Sequence, residues 1–459
     1  MSCTLVLPHT LTLEILQAAQ DPLETAGVLL ASLREVGSGR LKLLGRKILW
    51  VPAYAYRVRR PDALSIGSEG YVPALQEAEA MGACAIWLHT HPSKIGIPLP
   101  SPHDEIVDGQ LDGLFRLRTG SNVYASLIFS PTANGLSFTG FVEGDGFRCE
   151  VDRLFSVGDR FQYIGSYRND RDVPTEEFDR SVRAFGGAVQ SAISRLRIGV
   201  VGNGGTGSAV AEQLVRLGAR NLILFDPDVL EVTNLTRVYG STRTDVGRPK
   251  VEVLRDHLLR IAPDLQCDFY QDNILDEQTA RRLLDCDVAF GCTDDNAGRV
   301  VLSRLASLFL VPVFDCGVLL SSDAFGNVVS IDGRVTTLCP GAACLVCRNR
   351  IDMRRAAAEQ MNTSERQRLA AEGYAPALGR VEPAVITFTT SVAAQAITEL
   401  LERFVGFGRT PRPSEVLLRA HDREISTNIV PSREGHYCDP AAGQLGAAVM
   451  KPLLDLTWQ

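Results

Sequence analysis

The 459-residue chain is 45% hydrophobic and 22% charged, which fits two or three domains with proper cores and argues against a largely disordered chain. A formal net charge of −7 leaves no basic footprint for nucleic acid, and 11 scattered cysteines read as reduced thiols of a cytoplasmic protein, with a few on metal. The N-terminus lacks the pattern of a secretory signal, and no apolar run reaches the roughly 18 residues of a membrane span.

Residues 1–150 mix short strand-like runs (Leu41 to Val51, Val123 to Phe129, Leu136 to Val142) with two helix-like segments. One helix follows Pro8, and the other spans Tyr71 to Met81, ahead of an apolar strand from Ala83 to Leu88. This is an α+β pattern. From Phe155 to Glu177 the chain turns polar, and 151–177 is expected to be a linker.

A helix from about Phe178 to Ser194 leads into strand–helix alternation. The strands are Arg197–Val201, Leu222–Phe225, Val288–Gly291 and Val311–Phe314. The helices are Ser208–Leu217, Lys250–Ile261 and Arg299–Phe309. That punctuation predicts a doubly wound parallel sheet over 178–425. A helix-rich region (Ile351 to Ala371), an apolar helix (Val385 to Phe404) and an irregular tail over 426–459 follow.

The first chemical constellation is Trp87-Leu-His89-Thr-His91-Pro92, then Ser101-Pro-His103-Asp104, which holds three of the seven histidines. Histidines two apart on a strand point to the same side. Two imidazoles and a carboxylate suit catalytic zinc, which keeps a fourth position for water and lowers that water's pKa. A carboxylate from elsewhere would serve as base. The set resembles the JAMM (MPN-plus) metallopeptidase motif, with Glu24 matching the remote glutamate of that family. The resemblance implies a cytidine-deaminase-like α+β domain in which His89, His91 and Asp104 hold zinc. Glu24 would move the proton and Ser101 would stabilise the oxyanion. The loop between His91 and Ser101 is slightly longer than that family usually has, and His103 is an alternative ligand.

The second constellation opens with Gly202-Asn-Gly204-Gly205-Thr-Gly207 between a strand and a helix, with Asp226 ending the next strand. Alone, this is a dinucleotide fingerprint. The continuation through Asn234, Arg237, Lys250, Asp294, Asp295 and Arg299 brings cations and carboxylates suited to a triphosphate and its magnesium. The whole set resembles the adenylation domain of ubiquitin-activating enzymes, MoeB and ThiF, a Rossmann-like fold. The resemblance implies that Gly202, Gly204, Gly205 and Gly207 form the phosphate-side loop. Asp226 would hold ribose, and Asn234, Arg237 and Lys250 would contact phosphates. Asp294 would bind Mg2+, with Asp295 as the alternative. Arg180 matches an arginine supplied by the partner subunit, which implies a homodimer. The chemistry is adenylation of a C-terminal glycine carboxylate by ATP.

Cys344 and Cys347 form a C-x-x-C pair, and His436 and Cys438 could complete a second, structural zinc site. The stretch that carries the thioester cysteine in ubiquitin-activating enzymes has no cysteine here (Asp352 to Pro383). Cys316 and Cys339 are the remaining candidates. Taken together, the two resemblances imply a bifunctional enzyme of a ubiquitin-like (β-grasp) modifier system, as in some compact bacterial operons, with a conjugating enzyme as a further partner. One alternative is activation and processing of a sulfur carrier for thiocarboxylate formation. Another is an inactive regulatory scaffold.

Overall fold

The computed structural model describes residues 2–37, 39–92, 96–133, 135–165, 176–323, 325, 327–361, 364, 368 and 384–449. The chain divides into two compact units, Met1–Asp172 with Gly443–Ala448, and Val173–Ala442 with Val449–Gln459.

The first unit runs β1 (Ser2–Pro8), α1 (His9–Gln20), β2 (Ala26–Val36), β3 (Arg40–Trp50), β4 (Tyr56–Arg59), β5 (Leu64–Ile66), α2 (Val72–Met81) and β6 (Cys84–Thr90). It continues with α3 (Pro102–Thr119), β7 (Val123–Thr132), β8 (Gly135–Gly144), β9 (Phe147–Val157) and β10 (Gln162–Gly165). Its main sheet has the order β1-β3-β2-β6-β7-β8-β9-β10, and β1 also pairs with β9, so the ladder closes on itself. Strand residues alternate between two cores. Leu29, Ile86, Leu88 and Phe129 pack with Leu11 and Ile15 of α1. Val28, Leu30, Trp87 and Tyr124 pack with Leu75 of α2 and Phe115 of α3.

The expected linker begins too early. Residues 151–165 finish β9 and form β10 in the same sheet, because Phe155 and Phe161 are buried and meet edge-to-face at 5.7 Å. Of the rest of that stretch, 166–175 lie outside the described residues.

The second unit runs α4 (Asp179–Phe185), α5 (Gly187–Arg195), β11 (Arg197–Val201), α6 (Gly205–Arg216), β12 (Asn221–Phe225), α7 (Lys250–Ile261), β13 (Gln266–Tyr270) and α8 (Glu277–Arg282). Then come β14 (Val288–Gly291), α9 (Asn296–Leu308), β15 (Val313–Ser322), β16 (Val328–Leu338), α10 (Met353–Gln360), α11 (Ile386–Val405), β17 (Glu415–Arg419) and β18 (Glu424–Asn428). The single helix expected from Phe178 to Ser194 is two, parted by Gly186 at φ +88°, a left-handed conformation that suits glycine. The tail is less irregular than expected, since β18 pairs with β17. The helix expected beyond 361 falls mostly outside the described residues, as do 450–459.

The second sheet has the order β13-β12-β11-β14-β15-β16-β17-β18. β11 to β15 are parallel, and β16 to β18 add antiparallel. The strand order reverses between β11 and β14, so a crevice opens at the carboxyl ends of those strands, the usual ligand position in such sheets. Among the described residues no helix is long and apolar enough to cross a membrane.

Glu415, 1% exposed, joins the antiparallel strands to Arg350 (2.9 Å) and Asn428 (2.6 Å). Burial pushes its carboxyl up, but those partners outweigh it and hold the group below its ordinary value. The ionised carboxylate therefore stabilises the fold above the ordinary carboxylate pKa, and that contribution is lost as pH falls through the lowered one. Glu415→Gln is expected to cost about 1–2 kcal/mol at neutral pH, with the difference from wild type shrinking toward acid. Urea unfolding across pH checks this.

Candidate functional site

In the first unit, β6 delivers His89 and His91 on the α3 side of the sheet. His89 pairs in register with Ala26 of β2 and Ile128 of β7. The His91 N–H donates to Phe129 O at 2.8 Å, and its carbonyl accepts from Ser130 Oγ at 2.9 Å. Asp104 arrives from the first turn of α3. Ser101 caps that helix reciprocally: Ser101 N donates to Asp104 Oδ2 at 2.7 Å and Asp104 N donates to Ser101 Oγ at 3.2 Å. This leaves the Ser101 O–H to donate elsewhere.

The side chains converge tightly. The two Nε2 atoms are 3.2 Å apart, and Asp104 lies 3.3 Å from His89 Nε2 and 3.6 Å from His91 Nε2. Glu24, ahead of β2, reaches to 3.9 Å from His91. Both histidines are buried, and neither Nδ1 has a hydrogen-bond partner among the described residues. Two buried imidazole nitrogens facing each other beside a carboxylate are a donor set that fits a divalent cation. Burial pushes the Glu24 carboxyl up, with His91 and His89 opposing it. For Asp104 burial also raises the carboxyl, but contact with the two histidines wins and lowers it. His103 is exposed and outside this cluster.

In the second unit, the turn after β11 admits no side chain at two positions. Gly202 has φ +83°, and a Cβ there would lie 2.7 Å from the Cys292 carbonyl. A Cβ at Gly207 would fall 1.8 Å from Gly202 O. Gly204 precedes α6 with nothing within 4 Å of its Cβ position, and the first amides of α6 have no side-chain cap. Open amides at a helix start favour phosphate. Arg237 lies over Gly205, 3.3 Å from its Cβ position, and donates to Thr233 O.

Asp226 is buried and accepts from Asn203 N (2.5 Å) and Asp228 N (2.9 Å). Burial raises its carboxyl against the pull of Lys250, whose Nζ is 4.0 Å away. Lys250 sits 2.7 Å from Asp228, a partner not foreseen from the sequence although it lies two residues after Asp226. Asn234 is buried, and its Oδ1 accepts from Glu231 N, leaving only the amide N–H groups for a ligand. Asp295 is engaged as the cap of α9, accepting from Gly298 N and Thr293 Oγ1. Asp294 is exposed and has no hydrogen bond or ion pair among the described residues. An exposed carboxylate suits magnesium, which keeps several waters and takes substrate phosphates. Arg180 is exposed on α4, away from any hydrogen-bond partner among the described residues. Arg299 instead faces Asp315, 3.3 Å away.

Cys344, Cys347, His436 and Cys438 gather with all four donor atoms within 4.8 Å of one another. His436 Nδ1 lies 3.2 Å from Cys438 Sγ, and Cys347 Sγ lies 3.6 Å from Cys438 Sγ. The Cys438 thiol beside it lowers Cys344. Three sulfurs and one imidazole fit a closed tetrahedral zinc site. Cys316 and Cys339 are buried, and the hydrogen bond that the Cys316 thiol donates to Cys292, together with burial, pushes that thiol well above its ordinary value. Neither is a ready nucleophile.

A doubly wound sheet with a tight glycine turn and an exposed carboxylate beyond the carboxyl end of β14 is an architecture suited to a nucleotide. Residues 178–437, more than half of the chain, match the ThiF family, and the chain belongs to that family. It is 30% identical over 172 residues to molybdopterin-synthase adenylyltransferase of Escherichia coli (strain K12), covering 37% of this chain and 65% of that protein. It is 30% identical over 162 residues to ubiquitin-like modifier-activating enzyme 5 of Caenorhabditis elegans, covering 33% of this chain and 36% of that protein. The sulfur carrier protein ThiS adenylyltransferase of E. coli K12 is 33% identical over 132 residues, 29% of this chain and 51% of that protein. The chain thus spans less than two thirds of these relatives. Among solved structures, E. coli MccB with ATP aligns at TM-score 0.44 and 17% identity, covering 57% of this chain and 73% of that one.

The two metal-sized clusters predict two separable equivalents of bound zinc in the purified chain. His91→Ala should remove one equivalent and Cys438→Ser the other, as read by elemental analysis against protein concentration.

Proposed function

We propose that the second unit is an ATP-dependent adenylyltransferase acting on the C-terminal glycine carboxylate of a small β-grasp protein. The observation that carries this reading is the convergence of the glycine turn, Lys250 and Asp294 at the switch point of a ThiF-family sheet. The substrate carboxylate attacks the α-phosphorus of ATP, a C–O–P bond forms, and the bond to the β-phosphate oxygen breaks to release pyrophosphate. The open amides of Gly204 and Gly205 take the phosphates, and Arg237 and Lys250 neutralise their charge. Asp294 would hold magnesium, which when bound offsets phosphate charge. Asp226 orients the ribose, and Arg180 from a partner subunit completes the site in a homodimer.

Of the two substrate classes, the sulfur carrier is favoured over a conjugated modifier. The similar proteins include molybdopterin-synthase and ThiS adenylyltransferases. The thiols considered for a thioester, Cys316 and Cys339, are buried. The adenylate then passes to a sulfur donor on another protein, and no conjugating enzyme is needed. Pyrophosphate–ATP exchange, run with a β-grasp carrier ending in Gly-Gly, tests this. Exchange should fall by at least about a hundredfold in Asp294→Ala, and the carrier should gain a thiocarboxylate when a sulfur donor is added. Exchange absent from the wild type, or unchanged in the variant, would count against the proposal.

For the first unit, the convergence of His89, His91, Asp104 and Glu24 supports a zinc-dependent peptidase that processes the same class of carrier. Zinc held by the first three would supply an activated water and polarise the carbonyl. Glu24 accepts the proton and passes it to the leaving amine, and the Ser101 O–H donates to the oxyanion. The cysteine and histidine cluster of the second unit is read as a structural zinc site. A carrier extended beyond Gly-Gly should be trimmed by the wild type, while Glu24→Gln should lose at least about a hundredfold in rate with its zinc content intact. Equal trimming by both would sink the peptidase reading.

A further inference from the structure

The start of α9 carries more acid than a helix cap needs. Gly298 N is satisfied by Asp295, yet Asn296 N and Ala297 N donate to Glu359 Oε2 at 2.8 and 2.9 Å. Glu359 comes from α10, its side chain only 9% exposed, and Arg355 one turn earlier pairs with it at 3.3 Å. The Asn296 side chain is held from both ends: its Nδ2 donates to Glu359 Oε1 at 3.3 Å, and its Oδ1 accepts from Asp352 N at 3.0 Å. On the strand side, Cys292 N donates to Val201 O at 2.7 Å. Asp294 lies between these two anchors and, among the described residues, has none of its own.

We propose that Glu359 is a positioning residue of the adenylation site: by clamping the first turn of α9 it fixes the backbone from which Asp294 meets the metal. The inference rests on the magnesium role read for Asp294. A carboxylate accepting two helix-start amides is worth more than a generic contact, because it also meets the positive end of the helix. With both amides and both ends of Asn296 occupied, the turn has one arrangement. Groups that orient a metal ligand typically change metal affinity 10–100-fold when removed.

The test is binding of a fluorescent ATP analogue to the full chain in EDTA and in Mg2+. The wild type should bind more tightly with Mg2+. Asp294→Asn should lose that gain, which tests the reading beneath the proposal: if the gain survives, the Asp294 role fails and this proposal with it. With Asp294 upheld, Glu359→Ala should lose about tenfold or more of the Mg2+-dependent gain while its affinity in EDTA stays at the wild-type value. Glu359→Gln, which retains one acceptor oxygen, should keep part of the gain and carries the test if the alanine variant does not fold. A full gain in both variants, or affinity in EDTA falling in step with affinity in Mg2+, would overturn the positioning role.

Discussion

The second unit depends on one steric constraint, the carbonyl oxygen of Gly202 lying where a side chain at position 207 would begin. Only glycine lets α6 start that close to the end of β11, and the close start is what aims the open amides of α6 at the crevice. The same turn brings Gly202 against the backbone of Cys292 just past the end of β14, so the ends of two neighbouring strands pack backbone to backbone. Any larger residue at 207 would separate the parts that a nucleotide has to touch together.

Around that turn the polar groups are arranged by charge. Arg237 lies over Gly205, Asp226 and Asp228 stand beside Lys250, and Asp294, Asp295 and Glu359 lie at the start of α9. Most of these groups are already paired, so among the described residues the field they leave is carried chiefly by Asp294 and the first amides of α6. The first unit builds its cluster by a different route, the two-residue period of a fully buried strand, which sets His89 and His91 on one face and lets a helix cap deliver Asp104. Burial there works against charge on Glu24, with His91 and His89 opposing it.

Much of this was legible in the residues. The strand–helix alternation after Arg197 is bounded by glycines and prolines, and α7 and β14 fall where the apolar period places them. The gathering of His89, His91 and Asp104 was legible because their spacing is local, and that of Cys344 with His436 because few residue types carry such donor atoms. What depends on long-range pairing was not legible. The β1–β9 contact that closes the first sheet joins residues some 150 apart, and β10 was hidden in a polar stretch. Glu359 sits in an ordinary alanine-rich helix, 63 residues from the amides it holds, and nothing local marks it. Gly186 shows the opposite failure: the glycine itself was a local signal for a break in the helix expected from Phe178 to Ser194.

The central claim is that the crevice at the switch point takes a triphosphate and not a dinucleotide, and nucleotide selectivity tests it most directly. Calorimetry on the full chain with ATP and Mg2+, and separately with NAD+, should show saturable binding of ATP alone, weakened about tenfold or more when Lys250→Ala removes the cation facing the phosphates. Tight binding of NAD+ that Lys250→Ala leaves unchanged would contradict the account, and would make the glycine turn and Asp226 an ordinary dinucleotide site.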